Sequence, residues 1–249
     1  MNEISISKKR YGRFTSSQIW KLIKSGRGEY GFGSPALTYI QEKQIEVRMQ
    51  SGIQPQTYSK PAIWGNFMEP IVHKKLLERD LGYKISSKAT ELHPDLELSK
   101  FWSGSCDFEY FKGNELIAIS ETKSYQKKNF ALYTDCLMLQ DVELFKKNFH
   151  QEFWQIVSNA IIHGVDFGEA ISFMPYESDY EMINDLAYNY EGPDMHLFRF
   201  IYEENMNYLP FIKDGGFYKD LNIFRFEIPE ADKDFLTERI EKAIILLTR

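Results

Sequence analysis

Apolar residues along this chain follow two different periods, and the switches between them outline its elements. In TSSQIWKLIK, residues 15 to 24, the spacing suits a short helix, with Thr15 or Ser16 as cap and Gln18 completing a capping box. A glycine-rich loop from Gly26 to Pro35 follows, then a helical stretch over 35–50. The polar loop SGIQPQTYSKP leads to a helix predicted from about Asn66 to Asp80 and closed by Gly82, with short strands and turns to about Glu97. WSGSCDFEYF (102–111) then alternates, KGN is turn material and ELIAISETK (115–123) is a strand, together a β-hairpin. NFHQEFWQIVSNAII (148–162) returns to the helical period, with Phe149, Phe153, Ile156, Val157 and Ala160 on one face. EAISFMPY and NIFRFEIP read as strands and ADKDFLTERIEKAIILL as a closing helix, while residues 177–220 are aromatic and acidic without clear period. The order predicts one mixed α/β domain over residues 1–249.

One strand breaks its own pattern. In ELIAISETK, alternation places Ile117, Ile119, Glu121 and Lys123 on a single face, so charges continue a core stripe. A strand whose last residues run into solvent would explain this, as would a surface ion pair. Pairing the hairpin about Gly113–Asn114 in the register whose positions sum to 228 sets Asp107 opposite Glu121. Partners so placed have Cβ atoms about 4.5–5.5 Å apart. Two carboxylates that close repel each other, and a divalent cation with hard oxygen ligands removes that cost. Lys123, on the same face, would then stand beside the ion and its substrate.

Composition narrows the classes. The chain has 249 residues, 43% of them hydrophobic and 15% aromatic, which suits a globular protein with a sizeable core. No stretch approaches the ~18–20 apolar residues of a membrane span. No apolar block follows the basic residues of MNEISISKKRYGRF, so no secretory signal is expected. Two cysteines, Cys106 and Cys136, suggest reduced thiols and a cytoplasmic protein. The net charge of −6 argues against a protein that coats nucleic acid, but not against an enzyme whose basic residues line one cleft. The five histidines show no H-E-x-x-H spacing, and no phosphate-binding G-x-x-x-x-G-K-[ST] loop occurs.

Asp107, a gap, then Glu121-x-Lys123 on a hairpin resembles the PD-(D/E)xK nuclease core, with Cys106–Asp107 where that core often has Pro–Asp. Three further segments sharpen the likeness. KRYGRFTSSQIWKLI resembles the N-terminal R-x-G-x-x-T-A-S helix of lambda-exonuclease-type (YqaJ-like viral recombinase) nucleases. AIWGNFMEPIV resembles their W-G-x-x-x-E helix, and HQEFWQIVSNAII the aromatic-Gln helix after the core. All occur in the family's order over about residues 9 to 162, and NIFRFEIP with the last helix resembles its closing strand and helix. Residues 177–220 read as an insertion relative to a minimal member.

The resemblance implies a restriction-endonuclease-like fold, a central mixed sheet flanked by helices. It implies Mg²⁺ or Mn²⁺, as two ions, held by Asp107, Glu121 and the Thr122 backbone carbonyl. Glu69 would serve a second metal or an outer-shell water; a capping box of Asn66 with Glu69 is its structural alternative. Lys123 would position the attacking water and offset charge in the transition state. Gln155 shares a polar helix side with Gln151, Ser158 and Asn159, which helical geometry alone assigns to solvent and the resemblance to the cleft wall; Gln151 is second choice. Arg10 and Ser17 match positions that grip a 5′-phosphate, although Arg10 could equally be solvated and Ser17 merely part of the first helical turn. The implied activity is 5′-to-3′ digestion of linear duplex DNA in phage-type recombination, leaving 3′ tails for a single-strand annealing protein, by a ring-shaped homotrimer. The rivals are a sister endonuclease or single-strand nuclease, and a non-catalytic DNA-end-binding module.

Overall fold

The computed structural model describes residues 11–53, 59–79, 82–87 and 91–249. A two-residue strand β1 (Phe14–Thr15) passes into one 3₁₀ turn and the short helix α1 (Trp20–Ile23), followed by α2 (Ser34–Met49) and α3 (Lys60–Glu78). Strands β2 (Lys84–Ser87), β3 (Glu91–Leu92), β4 (Trp102–Gly104), β5 (Phe108–Lys112) and β6 (Glu115–Lys123) come next. Three helices follow, α4 (Lys127–Met138), α5 (Val142–Asn148) and α6 (His150–His163), then β7 (Phe167–Phe173). Helices α7 (Tyr180–Tyr188) and α8 (Arg199–Glu203), strand β8 (Leu221–Glu227) and helix α9 (Glu230–Leu247) complete the chain.

The main sheet has the order β2-β5-β6-β7-β8 and is mixed, with β6 and β7 parallel and the other pairs antiparallel. Alternation along the central strands feeds two cores. Ile119 and Ala170, with Phe224 and Phe226, face a layer drawn from α1, α2, α4, α6 and α9. Ala118, Ile171 and Phe173, with Phe108 and Tyr110, face α3, α7 and α8. The result is a central mixed sheet flanked by helices, as the sequence predicts. Parallel neighbours cannot be joined by a tight turn. The β6-to-β7 connection is therefore long, and its last helix, α6, comes to lie against β6.

Several elements differ from the sequence reading. Residues 102–111 are not one strand: β4 joins a separate small sheet, β1-β4-β3, and only β5 pairs with β6. Near the turn, Lys112 opposes Glu115 and Phe111 opposes Leu116, a sum of 227; beyond it, Tyr110 opposes Ala118 and Phe108 opposes Ser120, a sum of 228. Ile117 is the extra residue of a β-bulge. The bulge carries Ile117 to the α3 side with Ala118, not to the side of Ile119, because an unpaired residue interrupts strict alternation.

The predicted helix over 15–24 is a 3₁₀ turn (Ser16–Gln18) and one turn of α-helix, and Thr15 makes no side-chain cap. The hydroxyls of Thr15 and Ser16 are engaged elsewhere, with Tyr39 at 3.4 Å and Ser158 at 2.8 Å. The helix predicted from Asn66 begins a turn and a half earlier, where Ser59 caps it by accepting from the Ala62 N–H and Pro61 occupies the first turn. Residues 127–138 and 142–147, which the sequence reading leaves unassigned, are helical, Asn148 ends α5 instead of opening α6, and within 177–220 α7 and α8 cover the α3 side of the sheet.

Candidate active site

The site forms where β5 begins and β6 ends. The Asp107 backbone N–H donates to the Ser120 carbonyl at 3.0 Å, just past the last ladder pair, Phe108 with Ser120, and this holds Asp107 close to Glu121. The Asp107 carboxylate accepts from the Thr122 backbone N–H at 2.6 Å. In an extended strand a residue's N–H and C=O point to the same edge. The Thr122 carbonyl therefore faces the edge from which β5 has ended, on the side of Asp107.

Glu121 is almost wholly enclosed, its side chain 1% exposed. Helix α6 supplies its partners from successive turns. Gln155 Nε2 donates to Glu121 Oε2 at 2.6 Å, and Asn159 Nδ2 donates to Oε1. The other end of the Gln155 amide accepts from Lys123 Nζ at 3.1 Å, and that ammonium lies 3.9 Å from Glu121 Oε2. One glutamine thus spaces the lysine from the glutamate. Asn159 also donates to the Ser105 carbonyl at 3.1 Å, fixing the loop that delivers Asp107. A Cβ on Gly104 would meet Asn159 Oδ1 at 2.2 Å and Ser16 Oγ at 2.3 Å, so only glycine permits this approach.

Glu69 stands on α3 across the same cleft. Because the helix starts at Lys60, Asn66 lies inside it and cannot cap, which removes the capping-box alternative for Glu69. Pro70 takes away one intrahelical N–H donor immediately after Glu69. Though Glu69 keeps solvent-accessible surface within the cleft, the surrounding protein pushes its carboxyl up to about 7, with Asp107 as the second cause and Lys123 opposing. Burial likewise raises Asp107, against Lys123 and the Thr122 N–H, and raises Glu121 well above the usual carboxylate range, aided by Asp107. Three carboxyl groups held above their ordinary values, all by burial and Glu69 and Glu121 also by neighbouring carboxylates, describe a site that favours a cation.

Asn66, Glu69, Asp107 and Gln155 line two adjoining chambers of the cleft, of about 430 and 410 Å³. The first also includes exposed Ser17, Ser105 and His73; the second includes Glu121, Thr122 and Lys123. The structure thus brings together Ser17, Glu69, Asp107, Glu121, Thr122, Lys123 and Gln155. Arg10 lies outside the described residues. Gln151 lines a different hollow, away from Asp107. Sequence reasoning missed Asn159 as a partner of Glu121 and Ser158 as a buried hub, whose hydroxyl meets Ser16 Oγ at 2.8 Å and Trp102 Nε1 at 2.9 Å. The signal was present as polar residues four apart, Gln155 and Asn159, on a helix whose opposite face is core.

Among the described residues, no group of three or more His, Cys, Asp or Glu side chains is placed to hold a metal ion by itself. The donors nevertheless suit a hard cation that keeps several waters and needs only one or two carboxylates. Asp107, Glu121 and the Thr122 carbonyl would be the protein ligands, with Glu69 facing them.

The fold is shared with solved exonuclease structures. The alkaline exonuclease LHK-Exo from Laribacter hongkongensis superposes with a TM-score of 0.62 at 10% identity, over 98% of this chain and 92% of that one. LHK-Exo in complex with dAMP gives 0.63 at 11% identity, with the same coverage of 98% and 92%. A phage-related exonuclease from Haemophilus somnus 129PT gives 0.59 at 14% identity, over 94% of this chain and 93% of that one. At such identities the likeness is one of fold. No protein-family model and no curated protein matches the sequence. No helix among the described residues is long and apolar enough to cross a membrane.

Proposed function

We propose that this chain is a metal-dependent DNA exonuclease that digests linear duplex from 5′ ends and leaves 3′ single-stranded tails. The observation that carries the reading is the grouping of Asp107, Glu121, Lys123 and Gln155 at the end of the β5–β6 hairpin, facing Glu69 across an open cleft. The fold shared with known exonucleases supports it. Asp107, Glu121 and the Thr122 carbonyl would hold Mg²⁺ or Mn²⁺, and Glu69 a second ion or its water. Bound ions would supply Lewis-acid stabilisation of the attacking and leaving oxygens.

The chain's own groups do the rest. Lys123, kept in place by Gln155, directs its ammonium into the cleft where phosphoryl charge would develop. Gln155 and Asn159 orient Glu121, as outer partners of a ligating carboxylate do. Ser17, with Arg10, is proposed to meet a terminal 5′-phosphate. The single 3₁₀ turn that carries Ser17 offers few free N–H groups, so hydroxyl and guanidinium contacts would provide most of the grip. Duplex DNA ends, an annealing protein and a homotrimer in the cytoplasm of a phage-infected or bacterial cell complete the proposal.

The test is digestion of end-labelled linear duplex, carrying 5′-phosphate or 5′-hydroxyl, beside a closed circle, in Mg²⁺ and in EDTA. The reading expects loss of the linear form only, early release of the 5′ label, preference for 5′-phosphate and no turnover in EDTA. Cutting of the circle would replace it with an endonuclease, and no hydrolysis of any DNA would leave only end binding.

A further inference from the structure

A third hollow, of about 450 Å³, lies on the far side of the site and is lined by Trp20, Lys24, Tyr125, Asn129, Phe149 and His150. It shares Tyr125 and Asn129 with the chamber that contains Glu121 and Lys123, so the two adjoin across these side chains. Its aromatic rings are half-buried and anchored from behind. Tyr133, fully enclosed, packs edge-on against Tyr125 with centroids at 5.4 Å and against Phe149 at 4.8 Å. The Tyr125 hydroxyl donates to Glu152, which fixes that ring further. Lys24 Nζ sits 5.9 Å from the centre of the Trp20 ring.

Rigid rings beside the Lys24 ammonium and the amides of Asn129 and Asn148 suit a flat, polar-edged aromatic ligand carrying negative charge. Tyr125 follows Lys123 by two residues, at most about 7.6 Å of chain. A ligand on Tyr125 is therefore on the order of one nucleotide from a phosphate held at Lys123. We propose that this hollow is a nucleobase subsite, in which an unpaired base of the substrate strand stacks between Trp20 and the Tyr125–Phe149 wall while Lys24 meets the adjoining phosphate. The inference rests on the nuclease reading above. Such stacking is tolerant of sequence, because every base offers a π-face. It would hold a strand open next to the scissile bond.

The experiment titrates full-length protein, in Ca²⁺ without Mg²⁺, with a short oligothymidylate and with a strand of equal length made of abasic sites. Tryptophan emission and label anisotropy are read together. Wild type is expected to bind the thymidylate roughly tenfold more tightly, a typical effect of one stacked base, with quenched emission. Trp20→Phe should keep the preference and lose most of the quench; Trp20→Leu should lose the preference, and Lys24→Gln should weaken both strands. Should Trp20→Leu prove unfolded by circular dichroism, the wild-type comparison and the Trp20→Phe quench decide. Equal binding of both strands by a wild type that degrades duplex overturns the subsite and leaves the hollow to a protein segment. A quench that survives Trp20→Phe also overturns it. A wild type that neither binds nor cuts DNA removes the nuclease reading itself, and this inference with it.

Discussion

Asp107 reaches past the start of its own strand to accept a 2.6 Å hydrogen bond from the backbone N–H of Thr122. The bond ties the carboxylate to the edge that also carries the Thr122 carbonyl, so structure and proposed metal binding share one side chain. The two roles separate by substitution. Asp107→Asn retains an acceptor for the Thr122 N–H but loses the charge, whereas Asp107→Ala loses both. Both should lower kcat by about 10²- to 10³-fold, the scale of removing one group that stabilises transition-state charge. Only Asp107→Ala should also perturb the amide resonance of Thr122. Near-normal turnover by Asp107→Asn in saturating Mg²⁺ would remove the carboxylate from the chemistry.

Gln155 touches both Glu121 and Lys123, and a residue that orients others has a recognisable kinetic signature. Gln155→Ala should reduce kcat about 10- to 100-fold, as loss of outer partners does. Lys123→Ala should reduce it further while leaving duplex binding in Ca²⁺ nearly intact. A Gln155→Ala enzyme changed in KM alone would make Gln155 a substrate contact.

The carboxyl of Glu69, pushed up to about 7, links ions to protons. A folded value above the unfolded one means the folded protein holds its proton longer. This group's contribution to stability is therefore complete below about pH 4.5 and lost as pH rises through about 7. Asp107 and Glu121, also raised, act in the same direction. Without metal, Tm should fall between about pH 5 and pH 8, and less steeply in Glu69→Gln. Mg²⁺ favours the ionised forms, so its effect on Tm should grow over the same range, with protons released on binding. Calorimetry in buffers of different ionisation enthalpy measures that release; a Tm gain from Mg²⁺ that is flat with pH contradicts the linkage.

Arg239, on α9 and 5% exposed, tests how the closing helix supports the site. Its guanidinium lies 3.8 Å from the centre of the Phe32 ring and donates to the carbonyls of Leu22 at 2.8 Å and Tyr30 at 3.1 Å. Arg239→Met keeps much of the volume but leaves those carbonyls without a donor. It should cost about 2–4 kcal/mol, the penalty for orphaned buried polar groups. The midpoint of urea unfolding should fall with its slope unchanged. A change under ~0.5 kcal/mol would mean that water replaces the guanidinium.

What the sequence alone determined is what local patterning encodes. The β5–β6 strands, the α6 period and the closing strand and helix follow from apolar spacing, and Glu121 with Lys123 stood out because charge continued a core stripe. The register that sets Phe108 against Ser120, and so brings Asp107 close to Glu121, was also legible, but the bulge at Ile117 that produces it was not, since nothing local distinguishes an unpaired isoleucine from a paired one. Only the tertiary structure decided which way the polar side of α6 faces. Gln155, Ser158 and Asn159 look solvated on a helical wheel, and they are turned inward because α6 belongs to the long connection between parallel strands and packs against β6. It likewise decided that Ser59 caps α3 and leaves Glu69 free for the cleft, and that Ser16 bonds Ser158 142 residues away instead of capping a helix. Caps and cleft walls depend on which partner arrives from distant sequence, and a period along one segment carries no record of that partner.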